Sequence, residues 1–201
     1  MSASAGFQRI ELPDADVSLW EGFLGAEEAR GRLVRLVADL PWRQDHIRLY
    51  GHTHPVPRLH QWFGDPGRVY TWSGIRMEPQ PWPVELADLR DRVGEACGAH
   101  FHSVLANLYR DGRDRVAWHA DDEPELGPEP VIASLSLGAP RTFRLKHRLR
   151  DDLPVAAIEL RPGSLLVMRG PTQRCWVHEI PRRKNVSEPR VNLTYRALAP
   201  G

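Results

Sequence analysis

The sequence predicts a mainly β fold with flanking helices, in the form of an antiparallel sandwich, barrel or jelly roll. Six short β-rich runs follow His102: HSVLANLYR, VIASLSLG, TFRLKHR, VAAIEL, SLLVM and VNLTYRAL. Gly, Pro and Asp turns separate them, the rhythm of antiparallel strands and not of a parallel α/β sheet. Only two stretches, both before residue 100, keep helical spacing.

Taken in order, Ala29, Leu33, Leu36, Val37 and Leu40 recur at helical spacing and Pro41 ends the run, which predicts an amphipathic helix from about 26 to 40. The segment LYGHTHPVPRLHQWFGDPGRVYTWSG is too rich in Gly, Pro and aromatics for a long helix, so short strands and exposed loops are expected there. Leu86, Leu89, Val93 and Ala96 predict a second helix after Pro83, closed by Gly98. Residues 1–100 are thus an amino-terminal α/β portion with buttressing helices, and 101–201 the β core. Nothing near residue 100 resembles a flexible linker, and one compact unit is expected.

The 201-residue length is that of one domain, and 41% hydrophobic with 26% charged residues excludes disordered and fibrous classes. With 27 basic against 26 acidic residues, a strongly basic, histone-like binder is excluded. Only Lys146 and Lys184 are lysines, the other basic residues being arginine. Compositional bias explains that, and so does planar recognition of phosphate or carboxylate. Cys97 and Cys175 form no C-x-x-C pair, against a disulfide scaffold or a cysteine-based zinc site. The amino terminus lacks the basic start and apolar run of a secretory signal. No stretch approaches the ~20 apolar residues of a membrane helix. A cytoplasmic monomer without membrane association is the expectation.

His52-x-His54, His100-x-His102 and His119-x-Asp121 all have the spacing that puts two side chains on one side of an extended chain. Such a pair alone is usually a polar surface or core feature. His119 and Asp121 differ in having a remote partner, His178, near the end of another β-rich run. Two histidines and one carboxylate are the ligand set of a facial triad, which leaves metal positions open. In PRVNLTYRAL, alternation puts Arg190, Asn192, Thr194 and Arg196 on one face; in VLANLYR it aligns Leu105, Asn107 and Tyr109. These faces either meet solvent or build a pocket for a small dicarboxylate, whose charge suits an arginine fork.

Together, N-x-Y (Asn107, Tyr109), WHADDE (Trp118 to Glu123), SLSLG (Ser134 to Gly138), GSLLVM (Gly163 to Met168), His178 and RVNLTYR (Arg190 to Arg196) resemble the AlkB-type 2-oxoglutarate- and Fe(II)-dependent dioxygenases. The resemblance spans roughly residues 45 to 198 and is nearest the branch of the nuclear DNA-repair homologues. It implies a double-stranded β-helix core with an amino-terminal nucleotide-recognition lid. It further implies oxidative demethylation of N-alkylated bases in DNA by base flipping, with methylated RNA or a protein side chain as alternative substrates. Fe(II), 2-oxoglutarate and O2 are the implied cofactors, and formaldehyde, succinate and CO2 the products.

Carried over by residue, the resemblance gives His119, Asp121 and His178 to Fe(II). Arg196 would take the distal carboxylate of 2-oxoglutarate. Asn107, Tyr109 and Thr194 would bond the co-substrate, Arg190 and Asn192 support it, and Leu105 line its pocket. Trp72 would stack on the flipped base, with Tyr70, Asp122 and Glu123 at its edge. Without the resemblance, Tyr70 and Trp72 read equally as core aromatics of a strand. Tyr50, beside Gly51, aligns with the finger residue that fills the vacated duplex position, where the family leads one to expect phenylalanine. Arg58, Arg141, Arg144, Lys146, His147, Arg148, Arg150, Arg182, Arg183 and Lys184 are candidates for phosphate contacts or a solvated face.

Overall fold

A computed structural model describes residues 6–49, 51–67, 70–72 and 75–198, with 48, 49, 70–72 and 75–77 given by backbone alone. The chain opens with strands β1 (Gln8–Ile10) and β2 (Asp16–Trp20), followed by helix α1 (Ala26–Asp39). Next come β3 (His46–Leu49), β4 (His52–Pro55), β5 (Leu59–Gly64), β6 (Tyr70–Trp72) and β7 (Ile75–Met77). Helix α2 (Val84–Cys97) precedes β8 (Ser103–Tyr109) and β9 (Val116–His119). The remainder is β10 (Ile132–Gly138), β11 (Arg141–His147), β12 (Ala156–Leu160), β13 (Leu165–Arg169), a one-turn helix α3 (Thr172–Cys175), β14 (Trp176–Ile180) and β15 (Arg190–Arg196).

Both helices end for local reasons. Leu40 and Pro41 leave α1 in extended geometry, and Gly98 closes α2 in the left-handed region (φ 61°), where its missing Cβ removes the steric cost. The two helices are clamped by charge: Arg32 on α1 pairs with Asp88 on α2 at 2.7 Å, and Arg35 with Glu85 at 3.0 Å.

All pairings between the described strands are antiparallel. The large sheet has the order β1-β2-β13-β10-β15-β8-β5 and the small one β12-β11-β14-β9. β3–β4 and β6–β7 form separate hairpins. The large sheet draws β1, β2 and β5 from the first hundred residues, pairing β2 directly with β13 and β5 with β8, while β1 adds at the edge beside β2. The inner strands of this sheet separate two cores by simple alternation. On β15, Val191, Leu193 and Tyr195 join Leu36, Leu86 and Leu89 under the helices. On the opposite face Leu105, Tyr109, Leu166 and Met168 meet Phe143, Leu145 and Trp176 of the small sheet. The result is three layers: helices, large sheet, small sheet. The polar alternates of β8 and β15 therefore point between the sheets and away from solvent.

Candidate active site

The pocket between the sheets is lined by Arg58, Leu105, Asn107, Tyr109, His119, Asp121, Ser134, His178, Arg190, Asn192, Thr194 and Arg196. Register explains the convergence. β8 and β15 pair Asn192 with Asn107 and Arg190 with Tyr109, while β9 and β14 pair His119 with His178.

A bulge aims the first histidine. His178 opposes His119 and Ile180 opposes Val116, so Ala117 and Trp118 together face the single residue Glu179. The extra residue keeps Val116 and His119 both inward and turns Trp118 out, where it is 38% exposed with the Arg144 guanidinium over its ring. His119 Nδ1–H donates to the Ala117 carbonyl at 2.8 Å, which leaves Nε2 as the ligand atom.

His119, Asp121 and His178 bring ligand atoms within 4.8 Å of one another, and the two imidazole rings lie 4.2 Å apart. Arg196 Nη2 donates to Asp121 Oδ1 at 2.8 Å, both side chains being buried. Burial works against charge on Asp121, but Arg196 and the two imidazoles outweigh it and hold the carboxyl below the usual range. Burial first, and His119 second, push His178 down to about 3. At neutral pH the set is an anionic carboxylate with a neutral imidazole, the protonation state metal binding requires. Two nitrogens and one oxygen, with the far side of the pocket open, fit a divalent ion of the Fe(II) type.

The side chain of Arg196, the residue expected at the distal carboxylate of the co-substrate, closes on Asp121. Arg190 lies six residues away on the same face, roughly 20 Å along the strand. It is 1% exposed, with its guanidinium 5.0 Å from the Tyr109 ring centroid. Nη2 donates to Ser136 Oγ at 2.9 Å, the Tyr109 hydroxyl is a further hydrogen-bond partner, and no carboxylate among the described residues pairs with this guanidinium. Burial lowers this guanidinium to about 10, with Tyr109 opposing the shift. Asn192 Nδ2 donates to Ser134 Oγ (2.8 Å), and Thr194 Oγ1 donates to Asn192 Oδ1 (2.9 Å). Those two expected co-substrate contacts thus form a rigid chain along the pocket wall, and Leu105 supplies apolar lining.

Asn107 brings in a residue read differently from sequence. Its Oδ1 accepts from Arg58 Nε at 2.7 Å, and Arg58 is only 5% exposed. Arg58 is therefore a pocket wall and not a surface phosphate contact. Arg141 and His147, also on that surface list, are buried. Arg141 donates to the carbonyls of Asp114 and Pro181, which excludes it from the surface too. The signal that could have separated Arg58 was its place one residue before a strand whose alternate positions, His60 and Trp62, are buried on the pocket side.

Among the proposed base contacts, Asp122 is exposed and pairs with Arg148 at 2.8 Å. Glu123 is half-buried and starts a short 3-10 turn at Pro124–Leu126. Gly51 sits in the β3–β4 turn with φ 83°. Tyr70 and Trp72 fall on β6, whose side chains lie outside the description, and Tyr50 lies outside the described residues altogether. A cleft of about 1000 Å³ reaches His119, rimmed by His54, Trp118, Arg110, Arg113, Arg115 and Arg182.

One further described group, Asp65, His100 and His102, also gathers three potential ligand atoms. The Leu198 N–H donates to His102 Nδ1 at 3.1 Å, which places the ring proton on Nε2 and occupies both nitrogens. Asp65 Oδ1 accepts from Trp82 Nε1 at 2.9 Å. That group is a hydrogen-bonded junction between β5, α2 and β8. No helix among the described residues is long and apolar enough to cross a membrane.

The profile of the 2OG-Fe(II) oxygenase superfamily matches residues 16–196. Over 206 residues the chain is 41% identical to human alpha-ketoglutarate-dependent dioxygenase alkB homolog 3, covering 97% of this chain and 71% of the relative. It is 39% identical over 196 residues to human DNA oxidative demethylase ALKBH2, covering 94% and 75%. The fold superposes on the solved structure of OsALKBH1 with a TM-score of 0.67 at 16% identity, over 94% of this chain and 99% of that one. The chain belongs to the AlkB-type 2-oxoglutarate- and Fe(II)-dependent oxygenases, enzymes that use Fe(II), 2-oxoglutarate and O2.

Proposed function

We infer that this enzyme removes N-linked methyl groups of the 1-methyladenine and 3-methylcytosine type from DNA, acting as a monomer on a base drawn out of the stack. One observation carries the reading: a single buried pocket joins the His119, Asp121 and His178 set to the Arg190 guanidinium, which is 1% exposed and has no carboxylate partner among the described residues. The ligand set calls for a divalent ion, and the buried fork for a carboxylate. 2-Oxoglutarate spanning the two satisfies both.

Fe(II) on that set, with 2-oxoglutarate and O2, supplies the oxidation of the N-methyl group to a hydroxymethyl that leaves as formaldehyde, with succinate and CO2 as co-products. The chain does the rest. Arg190, beside Tyr109, takes the distal carboxylate. Arg196 keeps Asp121 ionised and fixed in direction. Asn107, held by Arg58, and the Asn192–Thr194 chain give the pocket one rigid outline for the co-substrate, while Leu105 keeps water from that wall. Asp122 and Glu123 directly follow the ligand Asp121, so anionic groups border the place a cationic methylated base must reach. Tyr70 and Trp72 are assigned to the base and Tyr50 with Gly51 to the opened strand, as the family pattern implies. The name of the 39% identical relative, a DNA oxidative demethylase, supports DNA as the substrate.

The test offers single- and double-stranded DNA and matched RNA oligomers carrying 1-methyladenine or 3-methylcytosine, with Fe(II), 2-oxoglutarate and air. Loss of one methylene mass from DNA is expected. Conversion of RNA alone would move the substrate to RNA, and 2-oxoglutarate turnover with neither oligomer converted would point away from nucleic acid.

A further inference from the structure

His119 and His178 owe their places to the β-ladder, as paired residues of β9 and β14. Asp121 lies beyond the end of β9 and has no such support. Its backbone N–H donates to a side chain: Gln173 Oε1 accepts it at 2.9 Å, both groups being buried. Gln173 is 2% exposed, and its Nε2 donates to Met168 Sδ at 3.3 Å, so both ends of the amide are committed. The short helix that carries it is tied to the large sheet through Thr172. That hydroxyl donates to the Arg169 carbonyl at 2.6 Å and accepts the Asp16 N–H at 2.9 Å. On the outer side Arg148 donates to the Gln173 carbonyl (3.3 Å) and to the Asp122 carboxylate (2.8 Å).

The carboxylate ligand is thus located twice: at its oxygen by Arg196, and at its peptide by Gln173. Removing the second anchor leaves a buried N–H that must turn toward another acceptor, and the carboxylate turns with it. We propose that Gln173 is a positioning residue for the metal centre, holding Asp121 against the two ladder-fixed histidines and setting metal affinity. The inference rests on the reading of His119, Asp121 and His178 as metal ligands. Outer-shell partners of metal ligands typically contribute 10–100-fold in affinity.

The experiment measures Mn(II) binding by loss of the free-ion EPR signal, without 2-oxoglutarate. It compares the parent protein, Gln173→Met, Gln173→Glu and Asp121→Ala, with thermal unfolding of each. Gln173→Met keeps length and packing but removes the acceptor, and is expected to bind Mn(II) about 10–100-fold more weakly while still unfolding cooperatively. Gln173→Glu keeps an oxygen aimed at the Asp121 N–H and recovers most of the affinity. Hydrogen exchange at the Asp121 amide accelerates in the methionine variant and not in the glutamate one. Should Gln173→Met not fold, Gln173→Asn serves in its place: its oxygen falls about 1.5 Å short, and the same loss is expected. Parental Mn(II) affinity in the acceptor-less variant, with Asp121→Ala impaired, overturns the role of Gln173 and leaves the ligand assignment standing. Parental affinity in Asp121→Ala overturns the ligand assignment itself, and this inference with it.

Discussion

Asp121 meets Arg196 at 2.8 Å, and this contact separates the two arginines that alternation put on one face of β15. With Arg196 engaged by Asp121, the proposed function gives the distal carboxylate of 2-oxoglutarate to Arg190. Arg190→Lys keeps the charge and loses the planar fork. It is expected to raise the Michaelis constant for 2-oxoglutarate about ten- to a hundredfold, the worth of one hydrogen bond to a charged group, with Mn(II) affinity unchanged. An unchanged constant there, with a rise in Arg196→Lys, would return the distal carboxylate to Arg196. His60 offers a second test. It is 1% exposed on the pocket side of β5, 3.3 Å from Asp45, and burial lowers it from 6.5 to about 4 against the pull of Asp45. As pH falls through that window the unfolded chain takes up a proton that the folded chain refuses, so stability is lost, by roughly 3 kcal/mol in all. Urea unfolding at pH 7 and pH 4.5 should show this fall, and His60→Gln should reduce it. An equal pH dependence in both proteins would mean that His60 is not the group responsible.

At the scale of elements, the turn after β8 and the loop before β15 interlock at Gly112. Its N–H donates to the Val186 carbonyl at 2.8 Å, and its carbonyl accepts the Arg183 N–H at 2.9 Å. A Cβ at this position would lie 1.9 Å from the Arg183 carbonyl oxygen, so no side chain fits without moving the loop. Gly112→Ala should lower unfolding stability by about 1–3 kcal/mol, as overpacking does, and leave Mn(II) affinity intact. No change in the denaturant midpoint would show that the loop yields freely. Much at this scale was legible in the sequence, because apolar periodicity and end signals are local: Pro41 and Gly98 delimit the helices, and the alternation of RVNLTYR sorts pocket from core. The bulge at Ala117 and Trp118 was not legible, since it exists only relative to its partner strand β14. Burial of Arg58, Arg141 and His147 was hidden for the same reason. A cation's surroundings depend on which strands lie over it, and local composition reads all three as surface.

For the whole molecule, the residues of the site named above come from five strands of two sheets, β8, β9, β10, β14 and β15, plus the segments before β5 and after β9. In the proposed function the large sheet would supply the co-substrate wall, and the small sheet the two histidines His119 and His178. Strand counting after residue 102 reached the antiparallel architecture, and the motif order singled out His119, Asp121 and His178, which the fold gathers. The pairing of β2 and β5 into the same sheet is a long-range choice that no window of sequence records. In the proposed function this one pocket couples 2-oxoglutarate breakdown to removal of a methyl group from a base. The most direct test of that coupling quantifies succinate, formaldehyde and repaired base in one reaction on a 1-methyladenine DNA oligomer. The three should rise together in a one-to-one-to-one ratio with the parent protein and vanish together in Asp121→Ala. Parental succinate formation in that variant, or succinate from the parent with the methylated base intact, would contradict it.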